Sequence, residues 1–238
     1  MEESTKSPHS TTSIEEPSTS SVVEGRATKR EGRNKPVLIV VMGVAGTGKT
    51  TLAKALVSKL QLPYIEGDDL HPESNIQKMS SGIPLTDADR EPWLKLIREK
   101  AEEMMIEQHE ARLKLEDTKQ GRIRMEGVLV TCSALKRYYR DILRGTYQPQ
   151  GEIAGTEKAE DSGSLLTYFV YIKGDEGLLR DRMKQRTGHF MKPEMLDSQL
   201  ATLESPEGEE RVVVVSLAGT TAEQVSEAVE GLRALCAD

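Results

Sequence analysis

The sequence predicts an α/β protein built on a doubly wound parallel sheet with helices on both faces. Three observations carry that reading. Runs of β-branched and aromatic residues at 36–42, 128–132, 165–172 and 211–217 alternate with stretches of helical periodicity. The first run, PVLIVVM, is apolar without alternation, as in a strand covered on both faces. It leads straight into a glycine-rich loop and then a helix, the opening of a βαβ unit.

Each element has its own signal. After the strand at 36–42, Leu52, Ala55, Leu56 and Leu60 recur at helical spacing across 50–60, and Pro63 opens a short extended piece, YIEG. Asp89 is read as the cap of a long helix that tolerates Pro92 in its first turn and carries Trp93, Ile97, Ala101, Met104 and Met105 as a core-facing stripe. The strand VLVTC precedes a basic helix from about Lys136 to Arg144. LLTYFVYI precedes a helix from about Asp175 to Arg186, and RVVVVSL precedes an amphipathic stretch from Ala222 to Cys236.

The 238 residues suit one domain, expected over 35–238. Residues 1–34 are dense in Ser, Thr, Glu and Pro, with too little apolar surface to offset ordering, and are expected to form a disordered tail. Residues 146–164, rich in Gly and acids, read as a surface insertion. No apolar run approaches the roughly 20 residues that cross a bilayer. A net charge of −7 argues against a broad nucleic-acid surface. Two cysteines, Cys132 and Cys236, make no disulfide framework or zinc spacing, which with a tail unlike a transit or signal peptide points to the cytoplasm.

The chemistry begins at Gly43-Val44-Ala45-Gly46-Thr47-Gly48-Lys49-Thr50, followed by Thr51. This G-x-x-x-x-G-K-[ST] segment lies between strand and helix, where backbone N–H groups and a helix N-terminus can wrap a triphosphate. Lys49 supplies a mobile charge to the β- and γ-phosphates of ATP, and Thr50 is placed to ligate Mg²⁺. A GTPase switch would need N-K-x-D downstream. The chain's NK, Asn34-Lys35, precedes the loop and runs into Pro36-Val37, so that reading is set aside.

Beyond the second strand, Asp68 and Asp69 should face the ligand crevice at the strand ends. Asp68 can take the proton of an attacking hydroxyl or orient the metal's water shell; the alternative is that both acids cap the helix after Pro72. Lys136, Arg140 and Arg144 recur every four residues on the basic helix, with carboxylate binding preferred for the first two and a solvated face for Arg144. Arg90 opposes the helix dipole in a first turn and so calls for a ligand or an acidic partner. Arg182 and Arg186 lie four apart before Gly188 and GHFMKPEM, in the manner of a lid that closes over the phosphates.

Four motifs carry a family resemblance: Gly67-Asp68-Asp69-Leu70-His71-Pro72; the run from Asn75 through Lys78, Pro84, Asp87, Asp89 and Arg90 to Leu94; Cys132-Ser133-Ala134-Leu135-Lys136 through Arg140-Asp141-Ile142-Leu143; and Gly188-His189-Phe190-Met191. In this order they closely resemble the gluconokinases, over most of residues 36–236. Glu66 departs from the Asp usual in bacterial members. The resemblance implies a nucleoside-monophosphate-kinase-like P-loop fold with strand order 2-3-1-4-5. It also implies ATP-dependent phosphorylation of D-gluconate at C6 to 6-phosphogluconate, feeding the pentose phosphate pathway, and it suggests a homodimer. His71 and His189 gain their weight as substrate contacts mostly from the same resemblance, and with Asp68, Lys78, Arg90, Lys136 and Arg140 they make up the expected acceptor site, while Arg182 and Arg186 are expected on the nucleotide. Shikimate- or adenylylsulfate-type kinases, and a nucleotide-binding regulator without turnover, are the competing readings.

Overall fold

The computed structural model describes residues 35–116, 126–147, 165–185 and 193–236. The expected tail, and the insertion beyond Tyr147, lie outside them. Five strands, β1 (Val37–Met42), β2 (Tyr64–Glu66), β3 (Gly127–Thr131), β4 (Leu166–Lys173) and β5 (Val212–Ser216), form one parallel sheet in the order β2-β3-β1-β4-β5. β1 lies at the centre, so all six of its residues are buried. Val40 pairs in register with Val130 on one side and Phe169 on the other. β5 is an edge, and its side chains alternate between covered and open, with Val214 on the open face.

Among the helices, α1 (Lys49–Leu60) packs with α7 (Thr221–Leu235), and α3 (Asp87–Glu116) packs with α4 (Arg137–Arg144). Right-handed crossovers put these two pairs on opposite faces, the doubly wound arrangement the alternation implied. The short α2 (Glu73–Ser80) precedes α3, while α5 (Glu176–Gln185) and α6 (Pro193–Thr202) lie between β4 and β5.

Helix starts follow local chemistry. α7 opens with a reciprocal capping box between Thr220 and Glu223. At α3 the expected cap is corrected: Thr86 precedes the helix and accepts from the Asp89 N–H, while the Asp89 carboxylate accepts from the Thr86 N–H at 2.8 Å. Asp89 is thus the third helical residue of a capping box, and the helix begins at Asp87. Trp93, Leu94, Ile97, Ala101 and Met105 line its buried face. α1 differs from both. Its start is Gly48 in the left-handed region, with no side-chain cap and no acid in its first turn, so its N–H groups face outward for an anion.

Candidate active site

The phosphate loop sits at the carboxyl end of β1, where α/β sheets bind ligands. Gly43, Gly46 and Gly48 adopt φ of 144°, 82° and 87°, which a side chain would resist. Thr47 is buried and donates to the Val44 carbonyl at 2.9 Å; the Lys49 ammonium donates to the same oxygen at 3.1 Å. Thr50 donates to the Glu66 carboxylate at 2.9 Å. Glu66 also accepts from Tyr64 at 2.6 Å and from Thr131, so its charge is held by three hydroxyls, one each from α1, β2 and β3. The sequence showed Glu66 only as a like-charged departure, because its partners are distant in the chain.

Asp68 and Asp69 occupy a single 3-10 turn, Gly67–Leu70, directly after β2. Neither caps α2, whose start at Pro72 has no side-chain cap. The turn is pressed against β3: a Cβ on Gly67 would stand 2.1 Å from the Thr131 carbonyl, and the buried Trp93 indole donates to the Gly67 carbonyl at 2.7 Å. This fixes where Asp68 emerges. Its side chain is open to solvent on one side and crowded by protein on the others. That partial desolvation, offset by the Lys49 ammonium and reinforced by Glu66 and Asp69, holds its carboxyl above the ordinary carboxylate range.

His71 is buried rather than exposed, stacked on Trp93 with ring centroids 3.9 Å apart. Asn75 donates to the Asp89 carbonyl at 2.8 Å and, with its other amide hydrogen, to His71 Nδ1 at 3.3 Å. Nδ1 therefore accepts, and the imidazole proton sits on Nε2 as a donor. Burial, and secondarily the Arg90 charge, push His71 down to about 4, so the ring is neutral at pH 7. Between the ordinary 6.5 and about 4 the unfolded chain takes up a proton that the folded chain refuses, so stability falls as pH drops through this window. His71→Gln should flatten that part of a Tm-against-pH curve; an unchanged slope would show that His71 is not its source.

Arg90 and Lys136 meet at Tyr139. The Arg90 guanidinium lies 5.8 Å from the Tyr139 ring centre and 3.4 Å from its hydroxyl, with no carboxylate partner among the described residues. The Lys136 ammonium lies 5.7 Å from the same ring and donates to both oxygens of Asp87, at 2.8 and 2.7 Å; Tyr139 donates to Asp87 as well. These two donors hold the Asp87 carboxyl below its usual range. Cys132, directly after β3, is buried. Its thiol feels the charges of Asp68, Lys49 and Arg90, while burial pushes it up to about 12 and keeps it neutral.

The structure gives several of the expected basic residues other partners or positions. Lys136 is the extended residue before α4, so it does not share a helical face with Arg140. Arg140 is fully buried: it grips Glu209 at 3.0 and 2.5 Å and donates to the Ala134 and Leu135 carbonyls at 2.9 and 3.1 Å. Its guanidinium braces the scaffold and has no face toward a ligand. Arg144, expected in solvent, instead shares Glu209 at 2.7 Å and stacks 4.8 Å above the Phe169 ring. Burial raises the Glu209 carboxyl, yet the two guanidiniums outweigh it and hold it low. Lys78 is committed to Asp89 at 2.6 Å and joins α2 to α3. Arg182 donates to the Leu217 carbonyl at 2.8 Å, fastening α5 to the end of β5. Arg186 and His189 lie outside the described residues. Thr51 is exposed in the first turn of α1.

For a divalent cation, Thr50, Glu66 and Asp68 offer only oxygen donors, the set that suits a hard ion shared with phosphates and water.

Comparison with known proteins agrees with this geometry. A family model described as an AAA domain matches residues 39–213. The gluconokinase of Gluconobacter oxydans is 43% identical over 182 residues, covering 76% of this chain and 83% of the relative. The probable gluconokinase of Schizosaccharomyces pombe is 41% identical over 179 residues, covering 74% and 77%. Among solved structures, a gluconokinase from Sinorhizobium meliloti superposes with a TM-score of 0.64 at 43% identity, over 86% of this chain and 96% of that one. The glycine loop that leads into an uncapped helix, together with these relatives, identifies the chain as a P-loop kinase belonging to the gluconokinase family.

Proposed function

We propose that this chain transfers the γ-phosphoryl of ATP to the C6 hydroxyl of D-gluconate, giving 6-phospho-D-gluconate and ADP and so feeding the pentose phosphate pathway. The observation that carries the proposal is the phosphate loop with the uncapped start of α1, joined through the Thr50–Glu66 hydrogen bond to the strand end from which Asp68 emerges. In the reaction an acceptor oxygen bonds the γ-phosphorus as the bond to the β–γ bridging oxygen breaks. The hydroxyl proton passes to the Asp68 carboxylate, whose raised affinity for protons suits that role.

Lys49 and the loop N–H groups hold the β- and γ-phosphates in line, which is most of what phosphoryl transfer asks of a protein. The His71 Nε2–H donates to an acceptor hydroxyl, and Arg90 with Lys136 counters the carboxylate of the sugar acid. Lys136 then exchanges part of its pairing with Asp87 for the substrate. Thr50 would hold Mg²⁺, which neutralises phosphate charge when bound. Arg182, Arg186 and His189 are proposed as lid residues on the sequence alone. A cytoplasmic location and a homodimer belong to the same proposal; no described helix is long and apolar enough to cross a membrane.

A coupled ADP-release assay with gluconate, shikimate, adenylylsulfate or buffer alone tests the reading. ADP should form with gluconate only. Release with shikimate but not gluconate would overturn the substrate, and none with any acceptor would favour a silent nucleotide-binding regulator.

A further inference from the structure

The stretch from Asp197 to Glu209 fastens itself to α5, α4 and the turn before α4. Asp197 pairs with Arg180 of α5 at 2.7 Å. Glu204 donates its N–H to the Leu135 carbonyl at 2.9 Å, and its carboxylate accepts from the Arg137 N–H at 2.6 Å. Glu209 holds Arg140 and Arg144. Within this run one side chain reaches the phosphate loop itself: Gln199 of α6 accepts from the Ala45 N–H at 2.7 Å, across 154 residues of chain.

The Ala45 N–H and the Val44 carbonyl belong to one planar peptide unit, and in a trans peptide they point in opposite directions. That carbonyl is where Lys49 and Thr47 both donate. The peptide is therefore gripped at both ends, by Gln199 on one side and by the phosphate-binding lysine on the other. Releasing the N–H lets the plane rock about its flanking bonds, and the resting point of the Lys49 ammonium moves with it. Loss of such preorganisation falls on the nucleotide side of the reaction, because Lys49 addresses phosphate.

We propose that Gln199 is a positioning residue for phosphoryl transfer, which holds the peptide between Val44 and Ala45 so that Lys49 is set for the terminal phosphates. The proposal rests on the reading of this loop as the ATP site. It also makes α6 part of the nucleotide site, although it contributes no residue to the glycine motif.

Gln199→Met keeps length and packing but replaces the amide oxygen with a poor acceptor. In the full chain, kcat/KM for ATP should fall about tenfold, the size of one lost hydrogen bond that orients a charge. KM for gluconate should stay within about twofold and Tm within about 2 °C. Unchanged ATP kinetics would overturn the proposal. So would a lowered KM for ATP, which would make Gln199 a plug that phosphate displaces, or equal losses for both substrates with a fallen Tm, which would make it merely structural. Hydrogen exchange of the wild-type Ala45 amide gives a second test that needs no variant. Protection should persist with a non-hydrolysable ATP analogue bound, and loss of protection would refute the role. A wild-type chain that fails to phosphorylate gluconate would instead undermine the proposed function.

Discussion

Asp68→Asn should lower kcat with gluconate by about 10³-fold while ATP affinity changes by no more than about threefold. The amide preserves size and removes both the proton acceptor and the charge, so the loss reports what the carboxylate does at the acceptor hydroxyl. The pH profile adds an independent reading. Desolvation holds the Asp68 carboxyl above its ordinary 3.8, so the acid limb of kcat/KM should lie above that value and be absent from the residual activity of the variant. Near-normal kcat in Asp68→Asn would remove this residue from the chemistry. Steady-state rates from pH 4.5 to 8, with ATP binding by calorimetry, measure both.

Arg140→Met should destabilise the fold by about 3 kcal/mol or more, because it leaves the Glu209 carboxylate largely buried with only Arg144 to answer it. For a domain of this size that corresponds to a fall in Tm of roughly 10 °C. KM for gluconate, measured well below the new Tm, should move by less than about threefold, since the guanidinium has no path to a ligand. Arg140→Met combined with Glu209→Met should recover part of the loss, as expected when a buried pair is removed together rather than halved. A large rise in KM at unchanged Tm would instead return Arg140 to the acceptor site.

How much of this was legible in the sequence depended on how local the information was. The phosphate loop and its flanking strand could be read because their chemistry is contiguous, and the central strands because burial on both faces leaves an unbroken apolar run. α3 was harder to bound. Its apolar stripe fades after Met105 while the helix continues to Glu116 on charged residues, and its cap was read three residues late because Asp89, the inner half of a capping box, resembles an outer one.

Arg140 was misread for a different reason. Spacing placed it on a face with Lys136, but Lys136 precedes the helix, and the partner that claims Arg140 lies 69 residues away. Glu66 and Gln199 were missed likewise: a carboxylate and an amide in polar surroundings carry no signal until the sheet brings Thr50, Thr131 or Ala45 beside them. His71 could be found by its motif, yet its neutrality comes from burial and the Arg90 charge, which no spacing rule reports.

The bare start of α1, with Gly48 before it and neither acid nor cap to answer its outward N–H groups, has a consequence for the living cell. Whatever anion supplies those missing acceptors lends the chain some of its own resistance to unfolding, by mass action. Part of this protein's durability is thus expected to rise and fall with the supply of the anion that fills that start.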